Sequence, residues 1–436
     1  MTIVHVGNMA NKGTQALLVS DVAALKAVAK EPLHVFVSTV DIKGTRQLGL
    51  DIDDVVSPLL DVPYERADSV ARSLGWKRGG IKYSAFAASC LMLIPVQMAL
   101  VVFSSWFVRA GLKAPYRSDV FRRIENSQLI VSCSDENFKE SSFLLRLSVS
   151  WIFVWWSMLI SRTMIILTAK FLKKPVVLFP NSIGPFRTFL GRAVSRLALN
   201  NCNLLMARER YSYNVIDELN VRSPRILTSD TALLYPSTDT SSVAVKKPFV
   251  AVCAGFYAQT HSSEGISAYV ESHAKALSRA SRMLGFRIVF LPHYVSGFRY
   301  DDLEISELIR SKLERPIEAE IINTRTLAEF KSILDQADFV LSSKMHPAVL
   351  AASSFVPTLY VAYDNKQLGF FQSLGMPKDC AILISEINEE LLFSGIEKVW
   401  SSRKELGALL SRTVPFWQDN TKRAIGYALN LSHLDG

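Results

Sequence analysis

Short runs of β-branched and aromatic residues, each closed by a turn, alternate with helical patterns almost from one end of this 436-residue chain to the other. Parallel strands need a crossover between them, and a helix on each crossover covers a face of the sheet. The alternation therefore points to βα units on mainly parallel sheets. A first set of strands is expected near 2–6, 33–38, 127–132, 175–180 and 203–206, with helices such as 13–29 and 188–200 between them. A second set begins at 248–253 and continues at 286–291, 318–322, 338–342, 357–361 and 381–384. Between the sets, Pro236 to Lys247 reads PSTDTSSVAVKK, a linker by composition. Length agrees with two cores, since single domains usually run about 100–200 residues. The expectation is an α/β chain of two Rossmann-like domains, at 1–236 and 248–412. A last helix, about 415–431, sits in a segment 413–436 that could cross back to the first half.

Two stretches break this pattern and raise the mean hydropathy to +0.19. Ser84 to Val108 carries no charge and passes the ~18-residue test for a membrane span; Leu147 to Ser161 is shorter, between Arg146 and Arg162. If both crossed a bilayer, the strand and loop of Ser127 to Glu140 would lie on the far side, and a membrane cannot split a sheet. Two readings remain for these apolar helices, taken as about 84–108 and 143–169. Either they lie in the membrane interface, with Trp106, Trp151, Trp155 and Trp156 at headgroup depth and Lys82, Arg109, Lys113, Arg146, Arg162, Lys170, Lys173 and Lys174 meeting anionic lipid, or they are a buried pair packed on the sheet.

The formal charge of +9 suits an anionic small substrate, an anionic membrane or nucleic acid, and equally a plain basic protein. The basic residues are spread rather than interleaved with aromatics, and no RNP, KH or zinc-knuckle pattern occurs, so nucleic acid is not expected as a partner. Cys90, Cys133, Cys202, Cys253 and Cys380 are scattered without a CxxC pair, which points to a reducing compartment and no structural zinc. Met1 leads directly into TIVHV with no basic n-region, so a cytoplasmic location is expected.

The first strand runs into GNMANKGTQALL, which places Gly7, Asn11 and Gly13 in the loop that opens the first helix. Backbone N–H groups there can face an anion or a sugar hydroxyl, or the glycines can be plain turn formers. The loop lacks the GxGxxG spacing and the Walker lysine, so neither a dinucleotide nor an NTP is indicated. The sharpest constellation lies at Asp338 to Phe371. There a strand ends at Ser342 or Ser343, expected as N-cap, and Lys344, His346 and Pro347 fall in the first turn of a helix. Such a cationic helix N-terminus attracts phosphate or carboxylate. The macrodipole disfavours a charged imidazole, so His346 is expected to be neutral until a bound anion raises its affinity for a proton. Lys366 follows on the next βα loop.

SSKMHPAVLAASSFVP followed by YDNKQLGF resembles the signature of the polysaccharide pyruvyl transferase family. Further matches occur in order: NKGTQAL, LFPNSIGPF, ARERYS, SDTALLY and LPHYVSGFRYDD. The resemblance implies a GT-B-like pair of Rossmann domains, with phosphoenolpyruvate held mainly by the carboxyl-terminal half and an acceptor sugar by the amino-terminal half. It implies His346 as acid/base, Lys344, Lys366 and Arg208 as phosphate contacts, and Asn11, Gly13, Asp135, Glu136, Asp230 and His293 as candidates for holding acceptor hydroxyls. Phosphoenolpyruvate would be a co-substrate, with no cofactor and no metal. The acceptor would be a polysaccharide or lipid-linked saccharide, and the protein peripheral on the inner face of the cell membrane. Two positions depart from the family pattern. Lys344 stands where an arginine is usual, which keeps the charge and loses the bidentate fork. Cys133-Ser134-Asp135-Glu136 stands where a Gly-Gly turn is usual, so the acceptor's identity stays open.

Two rival readings remain. A nucleotide-sugar glycosyltransferase would use Glu389 and Glu397, which have a Glu-x7-Glu spacing but fall on a charged helix face without the Gly-rich loop of a donor site. A non-catalytic member of the fold would follow if Lys344 in place of arginine had abolished activity.

Overall fold

A computed structural model describes the chain apart from residues 61–69, 72, 77–80, 117, 141–148, 236–243, 256–262, 296–300, 364 and 432–436, and apart from the side chains of 84, 87, 90, 91, 149–157, 263, 264, 365 and 366. Most of the stretch 236–247 thus lies outside the described residues, as do the side chains of Trp151, Trp155, Trp156 and Lys366. The chain falls into two compact units. The first comprises Met1–Met9, Leu17–Ser229 and Thr421–Gly436, the second Ala10–Ala16 and Asp230–Asn420.

The first unit is built on an eight-stranded sheet. Its strands are β1 (Thr2–Val6), β2 (Phe36–Thr39), β3 (Asp54–Val56), β4 (Ile130–Ser132), β5 (Asp135–Phe138), β6 (Val176–Ile183), β7 (Leu204–Ala207) and β8 (Arg225–Leu227). They run in the order β3-β2-β1-β4-β6-β7-β8, with β5 also on β6, and every pairing is parallel. A parallel sheet covered on both faces needs apolar side chains on both, and every residue of β6, VVLFPNSI, is buried. Helices α1 (Lys12–Val28), α2 (Ile42–Gln47), α3 (Ile81–Arg109), α4 (Asp119–Asn126), α5 (Val149–Phe171), α6 (Phe189–Leu199) and α7 (Arg210–Glu218) connect the strands. From Leu159 on, α5 is core: Leu159, Ile165, Ile166 and Ala169 pack with Ile130, Val176 and Leu178. The described part of α5 is therefore mostly core, with Lys170 and Phe171 at its end exposed.

The second unit carries a six-stranded sheet of β9 (Phe249–Cys253), β10 (Arg287–Phe290), β11 (Ala319–Ile321), β12 (Phe339–Ser342), β13 (Thr358–Ala362) and β14 (Ala381–Leu383). The order β11-β10-β9-β12-β13-β14 is doubly wound, and all pairs are parallel. Its direction of winding reverses between β9 and β12, and a ligand crevice forms at the carboxyl ends of strands at such a point. Helices α8 (Ser263–Leu284), α9 (Asp302–Ser311), α10 (Leu327–Gln336), α11 (Met345–Ala352), α12 (Asn365–Ser373) and α13 (Glu389–Asn430) flank the sheet.

Three local expectations are corrected. The expected separate helix at 415–431 is the end of one 42-residue helix, α13, which continues through Pro415. On either side of the proline, Thr413 Oγ1 and Trp417 Nε1 donate to the carbonyls of Leu374 (2.9 Å) and Ser373 (2.8 Å), so tertiary contacts hold the helix where its own ladder loses a donor. Asp135 and Glu136 lie in strand β5, not in a turn, because Asn181 Oδ1 accepts from Asn137 N at 3.0 Å and ties this segment to β6. The N-cap of α11 is Lys344 itself rather than Ser342 or Ser343.

Candidate active site

The last correction begins the site. β12 ends at Ser342, whose hydroxyl accepts from Lys344 N (3.1 Å) and donates to Lys344 O (2.7 Å), so the chain turns before the helix starts. Met345, His346 and Pro347 then form the first turn of α11, where a proline costs no hydrogen bond. Ser343 Oγ is occupied by Tyr269 OH at 2.6 Å. Lys344 and His346 are thereby fixed at the carboxyl end of β12, beside the point where the sheet's winding reverses.

Lys344 extends to Asp302, at the start of α9, with Nζ 3.1 Å from Oδ1. Asp302 is almost fully buried, and burial raises its pKa against the opposing pull of Lys344. Gly255, just past β9, makes room for this pair, because a Cβ there would overlap Lys344 Cε. His346 is clamped by Gly13, where a Cβ would overlap Nδ1 and Cγ of the imidazole. Its Nε2 lies 4.0 Å from Oδ2 of fully buried Asp230, longer than a hydrogen bond, and Asp230 also caps the short 3-10 turn Thr231–Leu234. His293, past β10, is stacked parallel to His346 with ring centroids 6.2 Å apart. Burial, then the charges of His346, Lys344 and Lys12, hold His293 well below the ordinary histidine value, so its ring is neutral. Neither of its ring nitrogens has a hydrogen-bond partner among the described residues. Buried polar atoms in that condition normally meet water or a ligand.

Lys12 belongs to the same cluster. It is buried, its Nζ donates to Pro292 O at 3.4 Å and lies 5.6 Å from the centre of the Phe330 ring, and burial lowers its pKa while Asp302 raises it. The sequence reading passed over Lys12 and Asp302. The signal for Lys12 was its place between Asn11 and Gly13, and that for Asp302 was the Asp-Asp pair closing LPHYVSGFRYDD. Asn11 works as a turn former, its Oδ1 accepting from Gly13 N at 2.9 Å, and it bridges to Tyr294.

Asn11, Gly13, Asp230, His293, Lys344 and His346 therefore all lie in the second unit, whereas Arg208, Asp135 and Glu136 lie in the first. Arg208 is 1% exposed and sits among carboxylates: its Nε donates to Ser182 Oγ (2.7 Å) and is 3.5 Å from Glu209, and its NH2 is 3.5 Å from Glu136, which also pairs with Lys139. Glu209 holds Ser212, whose hydroxyl accepts from Ile183 N at 2.7 Å. The Arg-Glu-x-x-Ser pattern thus fastens α7 to β6. Asp135 faces Asn181 across the β5–β6 pair. A further concavity in this unit is lined mainly by apolar side chains, with His5, Ser161 and Arg162 among them. His5 has a left-handed backbone, φ 65°, and burial pushes its pKa down to about 3. Among the described residues no group of three or more His, Cys, Asp or Glu is placed to hold a metal.

In the second unit the arrangement offers two lysines, a clamped imidazole backed by a carboxylate and a neutral second imidazole. That set can bind a small oxyanion and move a proton beside it. Known proteins agree with this fold. The solved structures that resemble the chain include MnaA of Staphylococcus aureus with UDP, at 12% identity and TM-score 0.59, covering 99% of this chain and 96% of that one. The UDP-GlcNAc 2-epimerase of Neisseria meningitidis is similar at 12% identity and TM-score 0.57, covering 98% and 99%. At such identities the likeness is one of fold, a GT-B-like pair of parallel-sheet α/β domains. Among curated relatives, the amylovoran biosynthesis protein AmsJ of Erwinia amylovora is 19% identical over 268 residues, 57% of this chain and 63% of that protein. The chain thus spans less than two thirds of that relative's length. Residues 43–365 match polysaccharide pyruvyl transferase, a range that holds every site side chain above except those of the Asn11–Gly13 loop and Lys366, and the chain belongs to that family.

Proposed function

We propose that the protein transfers the enolpyruvyl unit of phosphoenolpyruvate onto two hydroxyls of one sugar in a polysaccharide or lipid-linked saccharide, forming a pyruvate ketal. The observation that carries this reading is the convergence of Lys12, Lys344, His293 and the Gly13-clamped His346 at the carboxyl ends of β9, β10 and β12. Phosphoenolpyruvate is an enol phosphate, an enol ester with phosphate on the C2 oxygen. Protonation at C3 leaves C2 oxocarbenium-like, the first sugar hydroxyl adds there and returns a proton to the base, and the second hydroxyl then displaces phosphate at C2, its proton leaving with the phosphate. The site needs cations on the phosphate, a proton donor and a base. Lys344 and Lys12 supply the cations, and the family resemblance assigns Lys366 to the phosphate as well. His346 is the acid/base group, with the Asp230 carboxylate behind it at 4.0 Å. His293, held neutral, can hydrogen-bond a hydroxyl or the carboxylate without adding charge.

The test is incubation of the purified protein with phosphoenolpyruvate and a panel of p-nitrophenyl and lipid-linked sugars. The expected result is phosphate release matched by acceptor product heavier by one pyruvic acid less one water. Turnover of a UDP-sugar with no product from phosphoenolpyruvate would replace this reading with nucleotide-sugar chemistry.

A further inference from the structure

α3 has two apolar faces. Its inward face buries Tyr83, Ile94, Val101, Ser104 and Ser105, and Ile94 and Val101 join the core around Ile130 and Val176. Its outward face carries Met92 (81% exposed), Leu93, Val96 (58%), Val102, Phe103 and Trp106 (58%). A helix that covers a sheet beside water ordinarily turns charged and polar residues outward, yet no charge occurs between Lys82 and Arg109. A continuous apolar face of this kind marks a surface that something covers.

Length and composition alone would let Met92–Arg109 cross a bilayer, and 22% of that stretch is buried. The topology does not allow it. β3 precedes α3 and β4 follows it, both belong to one sheet, and the inward face of α3 is part of that sheet's core. The cover must come from one side.

Charge selects its chemistry. At the carboxyl end of α3, Arg109 Nη1 donates to the carbonyl of Phe171 (3.0 Å) and the guanidinium lies 5.8 Å from that ring's centre, which brings the ends of α3 and α5 together. Exposed Lys113, Lys170 and Lys173 lie in the same two chain stretches, and neither 81–118 nor 158–174 contains an acidic residue. Phe107 meets Phe103 at a tilt and Trp106 edge-on at this end, with centroids 4.7 and 5.7 Å apart. Apolar side chains, then an aromatic band, then cations is the order that acyl chains, the ester region and anionic headgroups present to a helix lying in the interface. A second copy of the chain would bring no acid from these stretches to meet the cations.

We propose that the outward face of α3 seats the protein on one leaflet of an anionic phospholipid bilayer, with the helix in the plane of the interface. The inference is independent of the transfer reaction. Its test is sedimentation of the full chain with phosphatidylcholine vesicles that contain or lack phosphatidylglycerol. The protein should pellet with the anionic vesicles, and salt should release only part of it. Val96→Glu with Phe103→Glu should lower partitioning at least tenfold, while circular dichroism and the unfolding midpoint stay at the parent values. Lys113→Glu with Lys170→Glu and Lys173→Glu changes only exposed positions and should remove the preference for phosphatidylglycerol, so the proposal stays testable even if the first variant misfolds. A parent protein that stays in the supernatant with anionic vesicles would overturn it. So would a lipid-free dimer that Val96→Glu and Phe103→Glu dissociate, or cleavage near Lys113 only from the opposite side of sealed vesicles.

Discussion

Gly13 and His346 are far apart in sequence and touch in the structure, and the absence of a Cβ at Gly13 is what lets the imidazole stand where it does. Gly13→Ala should push the ring away. A misplacement of that kind costs about 10²-fold in turnover, with less change in the KM for phosphoenolpyruvate. His346→Ala should remove the proton carrier itself and lower kcat by about 10²- to 10⁴-fold, with circular dichroism unchanged. Turnover near the parent's in either variant would take His346 out of the reaction. Lys344 is a different case, since its ammonium already meets Asp302 at 3.1 Å. A phosphate must compete with that carboxylate, so Lys344→Ala should raise the KM for phosphoenolpyruvate well above its effect on the acceptor. Equal effects on both substrates would show that the lysine serves to neutralise Asp302 and hold the local arrangement.

At the scale of elements, the start of α6 shows how one buried side chain can fix a loop. Glu140, 4% exposed, accepts from the backbone N–H of Arg187 (2.5 Å) and Thr188 (2.8 Å) and from the Thr188 hydroxyl, which also caps α6 by accepting from Gly191 N at 2.9 Å. Glu140→Gln keeps the shape and removes the charge, so the first unit should lose about 1.5–3 kcal/mol, read as a lower urea midpoint. No change in midpoint would mean that the Gly184–Pro185 loop is held by its own packing. Most elements were legible because a parallel sheet buried on both faces writes itself as apolar runs, and β9, β12 and β13 are runs of that kind. β3, β5 and β8 were not. Each has three or four residues, DVV, DENF and RIL, too few and too polar to show a period. α13 was misjudged at Pro415 because its support comes from the end of α12, not from its own sequence.

For the whole molecule, the grouping of residues was the least legible feature. Ala10–Ala16 belongs with the second unit through the Asn11–Tyr294 bridge, the bond from Lys12 to Pro292 and the contact of Gly13 with His346, all pairings of distant sequence. The same burial that assembles the site sets the response to acid. His293 is held well below the ordinary value of 6.5, His273 at about 4 and His5 at about 3, in each case chiefly by burial. Below pH 6.5 the unfolded chain takes up protons that these native rings refuse, so their contribution to stability is complete above that value and is lost as pH falls toward the native values. The loss is about 1.4 kcal/mol per pH unit for each fully buried ring, or about 2 kcal/mol each for His273 and His293 at pH 5. Asp302 works in the opposite sense. Its native pKa is raised, so falling pH favours the folded state there and offsets part of the loss. The rings outnumber it, and the second unit should become markedly easier to unfold between pH 6.5 and 4. Urea titrations at pH 7, 6 and 5 should show the midpoint falling, in two transitions if the units unfold separately. His273→Gln can keep the 2.8 Å bond to the Tyr269 carbonyl without a titrating group, and should flatten the pH dependence of the second unit. An unchanged slope in that variant, or equal midpoints at pH 7 and pH 5, would show that the buried imidazoles do not control acid unfolding.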